Sequence, residues 1–151
     1  MLLTRNLVIA ILLVVATAGV ALAEGDEEGI RQAILNYANS AYDVRPDLIE
    51  ESVHPKLQKI GYVPNRDGEG YRELWMNFYE LKELVSGWNS EGRFDPATAK
   101  REVVILDRLD KTAVARLDAE WGIDFFHLAK LDGKWTIMNV IWQTYPPEAD
   151  D

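Results

Sequence analysis

Asp124, Asn139, Tyr37, Tyr42 and His54 are the side chains whose types and positions could do acid–base or hydrogen-bonding work on a small molecule. The hairpin register developed below places Asp124 at a strand end beside Trp121 and Ile141. A carboxyl buried there has its pKa raised and could act as a general base. An aspartate at a hairpin end can equally accept turn N–H groups. Asn139 falls opposite Phe126, and a buried amide needs partners, either a ligand or the tyrosines of the first helix. Tyr37 and Tyr42 sit on an apolar helical stripe, where they either donate to a ligand oxygen or pack. His54 precedes Pro55 and serves either as an acid or base near a pocket entrance or as a local cap. Trp75, Trp88 and Trp121, with Phe126, would line a flat aromatic pocket or simply fill the core.

Other chemistries find little support. The two histidines, His54 and His127, stand on separate elements and cysteine is absent, so no zinc pattern exists. Asp67-Gly68-Glu69-Gly70 is too short and ligand-poor for a calcium loop. No phosphate-binding glycine loop or G-x-S-x-G elbow occurs. No metal or cofactor is therefore expected.

The elements that must position these side chains are legible in order. Asp26 can cap a helix over 26–42, in which Ile30, Ala33, Ile34, Tyr37, Ala38, Ala41 and Tyr42 recur at helical spacing. Pro46 starts a short second helix that reaches about Ser52, and His54-Pro55 ends it. Leu57–Val63 and Tyr71–Trp75 read as strands joined by Asn65-Arg66-Asp67-Gly68. Asn77 and Glu80 form a capping box for a third helix carrying Phe78, Leu81, Leu84 and Val85, which Gly87 stops. A four-strand meander then fills Arg101 to Tyr145, rich in β-branched and aromatic residues.

Turn chemistry sets the meander's register. Asp132-Gly133 is a two-residue hairpin turn, which sets Leu128 opposite Ile137, Phe126 opposite Asn139 and Asp124 opposite Ile141. With Gly122-Ile123 and Asp110-Lys111 as the other turns, Leu117 opposes Leu128 and Val104 opposes Leu117. One face then carries Val104, Leu106, Ala115, Leu117, Ala119, Trp121, Phe126, Leu128, Trp135, Ile137 and Ile141, with Asp124 and Asn139 among them. The helices would cover it. The other face carries Val103, Ile105, Val114, Phe125, His127, Met138, Val140 and Trp142. Its apolar part, Phe125, Met138, Val140 and Trp142 beside His127, is too large for free exposure and predicts a homodimer paired through the sheet.

The chain's ends and charge bound its setting. Arg5, the apolar run Leu7–Val20 and Ala21-Leu22-Ala23 read as a signal peptide over 1–23, cleaved after Ala23. The run falls short of the roughly 18–20 residues of a membrane span, so no stable anchor is expected after cleavage. The domain is then 24–145, followed by an acidic tail over 146–151, and the protein is expected to be secreted or periplasmic. Its net charge of −9, from 16 basic and 25 acidic residues, argues against a nucleic-acid partner.

The order of elements resembles the nuclear transport factor 2-like superfamily. His54-Pro55, Ser86-Gly87-Trp88-Asn89, and Asp124-Phe125-Phe126-His127-Leu128 running into Asp132-Gly133-Lys134-Trp135-Thr136-Ile137 are similar to its putative lumazine-binding, SnoaL-like branch. The resemblance implies an α+β fold: a curved antiparallel β-sheet wrapped around N-terminal helices, a cone-shaped α+β barrel with a pocket at its open end and dimers paired through the sheets. It also implies a pterin-like ligand and, by analogy with steroid isomerases of that fold, Asp124 as base. The leading expectation is a module that binds a small apolar or aromatic ligand, because no complete catalytic set is evident. The alternatives are a cofactor-free isomerase, dehydratase or hydrolase using Asp124, and a protein-interaction domain with a vestigial pocket.

Overall fold

A computed structural model describes residues 25–146. Helix α1 spans 25–42, and its buried residues are the stripe expected from the spacing: Ile30, Ala33, Ile34, Tyr37, Ala38, Ala41 and Tyr42. Burying each of the larger apolar members removes enough surface from water to contribute about 1.5–3 kcal/mol. Asp26 lies within α1 rather than acting as its cap. Its carboxylate accepts from Lys130 Nζ at 2.5 Å and Trp135 Nε1 at 3.0 Å, tying α1 to the far end of the sheet. Helix α2 (Asp47–Ser52) follows, with Pro46 at its N-cap. Strand β1 runs Val53–Pro64, longer than expected, so that His54-Pro55 lies inside a strand rather than in a break before one.

Strand β2 (Tyr71–Met76) pairs antiparallel with β1, as the turn chemistry at 65–68 predicted. Helix α3 (Phe78–Val85) opens on the expected capping box. Asn77 accepts from the N–H groups of Tyr79 and Glu80, while Glu80 accepts from the N–H of Asn77. The loop that follows is pinned by buried Asn89, which donates to the carbonyls of Tyr42 and Phe94 and accepts from the N–H of Phe94. Strands β3 (Arg101–Arg108), β4 (Thr112–Ala119), β5 (Gly122–Leu131) and β6 (Lys134–Gln143) form the meander.

The six strands make one sheet in the order β2-β1-β6-β5-β4-β3. All pairs are antiparallel except β1 with β6, which run parallel. The sheet does not form the expected cone-shaped barrel. Strands β2 and β3 are free edges, and the sheet is neither closed into a barrel nor strongly curled. The fold is α+β, an open mixed sheet with its helices on one face.

The register also departs from expectation, in a way that decides which side chains meet. Asp132 and Gly133 both have positive φ, so this hairpin turn is as expected, and Leu128 faces Ile137. Beyond it, Met138 is an extra residue in β6. Phe126 therefore pairs with Val140 rather than Asn139, and Asp124 with Trp142 rather than Ile141. A second bulge, at Leu106 in β3, sets Val103 opposite Leu117 and Ile105 opposite Ala115. The turn before β5 is Glu120-Trp121, not Gly122-Ile123, which sets Leu117 opposite Asp124.

The two faces are reassigned accordingly. Ala115, Leu117, Ala119, Phe126, Leu128, Trp135 and Ile137 are buried under the helices, and Asp124 with them. Val140 is also fully buried on that face and Trp142 is half-buried there, so neither belongs to a sheet-pairing surface. Val103 and Ile105 pack on the core, whereas Val104, Leu106 and Ile141 are exposed on the outer face. Asn139 is on the outer face too, bonded to His127 Nδ1 at 3.0 Å and to the carbonyl of Gln58 at 2.9 Å. A one-residue bulge reverses the facing of every residue beyond it. The expected signal peptide over 1–23 and the tail beyond 146 lie outside the described residues.

Candidate functional site

The helix-covered face holds a buried polar cluster centred on Asp124, which is 0 % exposed. β5 projects Asp124 inward, α1 brings Tyr37 over it, and the Glu120-Trp121 turn folds the indole of Trp121 back towards it. Trp121 Nε1 donates to Asp124 Oδ2 at 2.5 Å, and Tyr37 Oη donates to Oδ1 at 3.0 Å. The fourth member is Lys59 of β1, 3 % exposed. Its Nζ donates to Tyr37 Oη at 2.5 Å and to Asp124 Oδ1 at 3.3 Å. The pairing of β1 with β6 and of β6 with β5 puts Lys59 and Asp124 near one another across the sheet.

A buried ion pair persists only if its charges are matched and their remaining hydrogen-bonding capacity is used. Both Asp124 oxygens here accept at least one bond. Burial pushes the Lys59 ammonium below its ordinary pKa, while the charge of Asp124 and the bond to it work in the opposite direction. Burial, reinforced by the neighbouring carboxylate, pushes the Tyr37 phenol well above its ordinary value, so it stays protonated and able to donate. Tyr42, the adjacent tyrosine, is raised to about 12, chiefly by burial. Its hydroxyl donates to the carbonyl of Lys100 at 2.8 Å and accepts from the N–H of Glu120 at 2.9 Å. Tyr42 thus fastens the helix to the loop and the β4–β5 turn, outside the polar cluster.

Beside the cluster lies a cavity of about 60 Å³, walled by Tyr37, Lys59, Leu81, Trp88, Trp121 and Trp142. Trp88 packs edge-on to Trp121 with centroids 5.2 Å apart and stacks on Phe94 at 5.3 Å. Phe126 lies beneath, edge-on to Tyr37 at 5.1 Å. Lys59 Nζ sits 4.8 Å from the centre of the Trp142 ring, a cation–π distance. Gly61 makes room for that indole, since a Cβ there would lie 2.1 Å from Trp142 Nε1. The Trp142 Nε1 is itself buried without a hydrogen-bond partner among the described residues.

The structure brings together Tyr37, Trp121, Asp124 and Phe126, with Tyr42 at their margin. It does not bring in the other three candidates. His54 Nδ1 accepts from the N–H of Lys56 at 3.1 Å in a local turn, Trp75 is 67 % exposed and bonds Glu73, and Asn139 is on the opposite face. Lys59 and Trp142 belong to the site but were not legible as such. Lys59 alternates with Leu57 and Gly61 on the inward side of β1, a row no more apolar than its neighbour Gln58, Ile60, Tyr62. The bulge at Met138, which no turn signal marks, turns Trp142 inward where an unbroken register would face it outward. Among the described residues no cluster of three or more His, Asp or Glu could hold a metal ion, and no helix is long and apolar enough to cross a membrane.

The fold is that of the nuclear transport factor 2-like superfamily. Residues 25–143 match the family described as "Putative lumazine-binding", and the chain belongs to that family. Solved structures agree in fold. A nuclear transport factor 2-like protein of unknown function from Methylobacillus flagellatus KT is 25% identical, with 80% of this chain and 93% of that chain covered and a TM-score of 0.62. A similar protein from Shewanella baltica OS155 is 18% identical over 82% of this chain and 96% of that chain, with a TM-score of 0.61. A third, from Novosphingobium aromaticivorans and with a cystatin-like fold, is 15% identical over 89% of this chain and 90% of that chain, with a TM-score of 0.60. None of the curated proteins matches the chain.

Proposed function

We propose that the protein is an exported module that binds a small apolar or aromatic ligand between α1, α3 and the sheet. The observation that carries this reading is the meeting of a charge-balanced polar floor with tryptophan walls: Asp124, Lys59 and Tyr37 below, Trp88, Trp121 and Trp142 around. Flat aromatic surfaces with a few convergent polar groups are the usual make-up of a small-molecule site. Asp124 has donors on both oxygens, which favours a structural and recognition role over that of a free general base. At about 60 Å³ the cavity admits a group of a few heavy atoms. A larger planar ligand such as lumazine requires α3 and Trp88 to move outward.

Native mass spectrometry of protein purified without denaturation tests this reading, together with tryptophan fluorescence during titration with lumazine. A retained small molecule, or saturable quenching that Trp121→Phe reduces, supports it. No retained mass and no response to lumazine would show that the pocket is filled by its own side chains. The export component rests on Arg5, the apolar run and Ala21-Leu22-Ala23. It predicts that protein recovered from the cell envelope or medium begins at Glu24; an intact Met1 would overturn it.

A homodimer through the outer face is part of the same proposal, with a corrected set of residues. Phe125 and Ile141 are cross-strand partners there, 46% and 43% exposed and next to Met138 and His127, with Arg116 of β4 standing between Phe125 and the exposed Val104 of β3. Phe125→Glu is expected to halve the mass measured by sedimentation; an unchanged mass would remove the dimer from the proposal.

A further inference from the structure

We propose that Lys59 is a carbonyl-capturing amine, whose Nζ condenses reversibly with a small aldehyde or ketone admitted to the tryptophan-lined cavity. This rests on the binding reading above and names the ligand class that the cavity's floor suits. Other described lysines work at the surface, as Lys82 does with Glu50 and Lys130 with Asp26. Lys59 alone among the described lysines is buried in the core, and the residue forms part of the wall of a cavity. Of its three N–H groups, two are taken by Tyr37 and Asp124 among the described residues, and the nitrogen faces the Trp142 ring. An amine becomes nucleophilic when its surroundings disfavour the ammonium, as burial does here.

The local groups meet each requirement of the condensation. Nζ passes a proton to Asp124, directly across 3.3 Å or through Tyr37 Oη at 2.5 Å. The freed lone pair attacks the carbonyl carbon, a C–N bond forms, and the C=O π pair moves to oxygen, which takes that proton back. A second proton from nitrogen follows the same route to the hydroxyl, which leaves as water as the C=N bond forms. Overall, ammonium plus carbonyl yields iminium plus water. No electrons are gained or lost, and the single positive charge stays on nitrogen. Asp124 therefore keeps a matched partner before and after, which matters because an unpaired buried charge is strongly destabilising. At about 60 Å³ the cavity has several times the roughly 10–15 Å³ that one water needs, room for a carbonyl compound of a few heavy atoms.

The test is reductive trapping of the mature protein with acetaldehyde and sodium cyanoborohydride near pH 6, with peptide mass mapping over time. Lys59 is expected to be ethylated at least about tenfold faster than the exposed Lys56 and Lys111, because only its amine is activated. Asp124→Asn and Tyr37→Phe should slow labelling at Lys59 while leaving Lys56 and Lys111 unchanged. Urea should erase the difference between sites. Lys59 protected in the native protein but labelled at the ordinary rate in urea would identify a purely structural lysine and overturn the proposal. Titrating lumazine into the same preparation separates the two ideas. A fluorescence response without labelling removes carbonyl capture alone, whereas silence in both removes the binding reading as well.

Discussion

Two ion pairs in this molecule make an instructive contrast. Arg45 and Asp47 meet at 2.5 Å with about half of each side chain in solvent, and Lys59 and Asp124 meet at 3.3 Å with almost none. By distance the surface pair is the better bond. By consequence it is the lesser one. Water already solvates Arg45 and Asp47 when they separate, so their attraction is largely an exchange of equivalent partners. Lys59 and Asp124 have no such alternative, and each makes the other's burial tolerable. Environment sets what a contact is worth, and the larger site chemistry follows from the pair that solvent cannot reach.

The contrast can be broken most sharply by removing one buried partner. Asp124→Ala should destabilise the fold by about 3–5 kcal/mol, since Lys59 would be left buried and unpaired. Urea denaturation measures this, and a loss below about 1 kcal/mol would mean that Lys59 escapes to water. The second test removes both charges together. Lys59→Met with Asp124→Leu should recover most of that loss, giving a double-mutant coupling of about 2 kcal/mol or more. Additive losses would show that the two side chains act independently.

A smaller effect is expected from the phenol that bridges them. Tyr37→Phe keeps the ring packing against Phe126 but removes a donor to Asp124 and an acceptor for Lys59, costing about 1–3 kcal/mol. The same tyrosines give a pH signature. Tyr37 and Tyr42 have folded pKa values above the ordinary 10, in Tyr42 about 12. The folded state thus holds phenolic protons that the unfolded chain releases, and their contribution is complete below about pH 10 and lost as pH rises towards 12. Lys59 works oppositely, because its lowered value means the unfolded chain binds the extra proton up to about pH 10.5. Urea midpoints from pH 9 to 12 should therefore fall above pH 10, and Tyr42→Phe should flatten the fall. The smallest effect belongs to the surface pair: Arg45→Ala should change stability by less than about 1 kcal/mol and leave the site untouched.

How much of this was legible depended on the kind of error each element tolerates. The stripe of α1 and the capping box at Asn77 depend on residues three and four apart, and both read correctly. The turn after β4 lies two residues earlier than its chemistry suggests and the register shifts by four, with Leu117 opposite Asp124 instead of Leu128, yet Ala115, Leu117 and Ala119 keep their face, because strand facing repeats every two residues. In β3 and β6 a single bulged residue was enough to invert Val103–Leu106 and Asn139–Trp142. No turn signal announces a bulge, since it arises where two strands of a sheet must fit each other and the helices above.

By itself, the sequence determined the α+β class, the helical stripe that carries Tyr37, the four strands of the meander, and the inward facing of Asp124. Those follow from local propensity and from periodicities of 3.6 and 2, which act between near neighbours. Only the tertiary structure decided that the sheet stays open with β1 parallel to β6, that Trp142 turns inward, and that Lys59 is the partner of Asp124. Lys59 and Asp124 are separated by 65 residues. Their encounter is set by how six strands are ordered and bulged, a property of the assembled sheet that no local segment encodes.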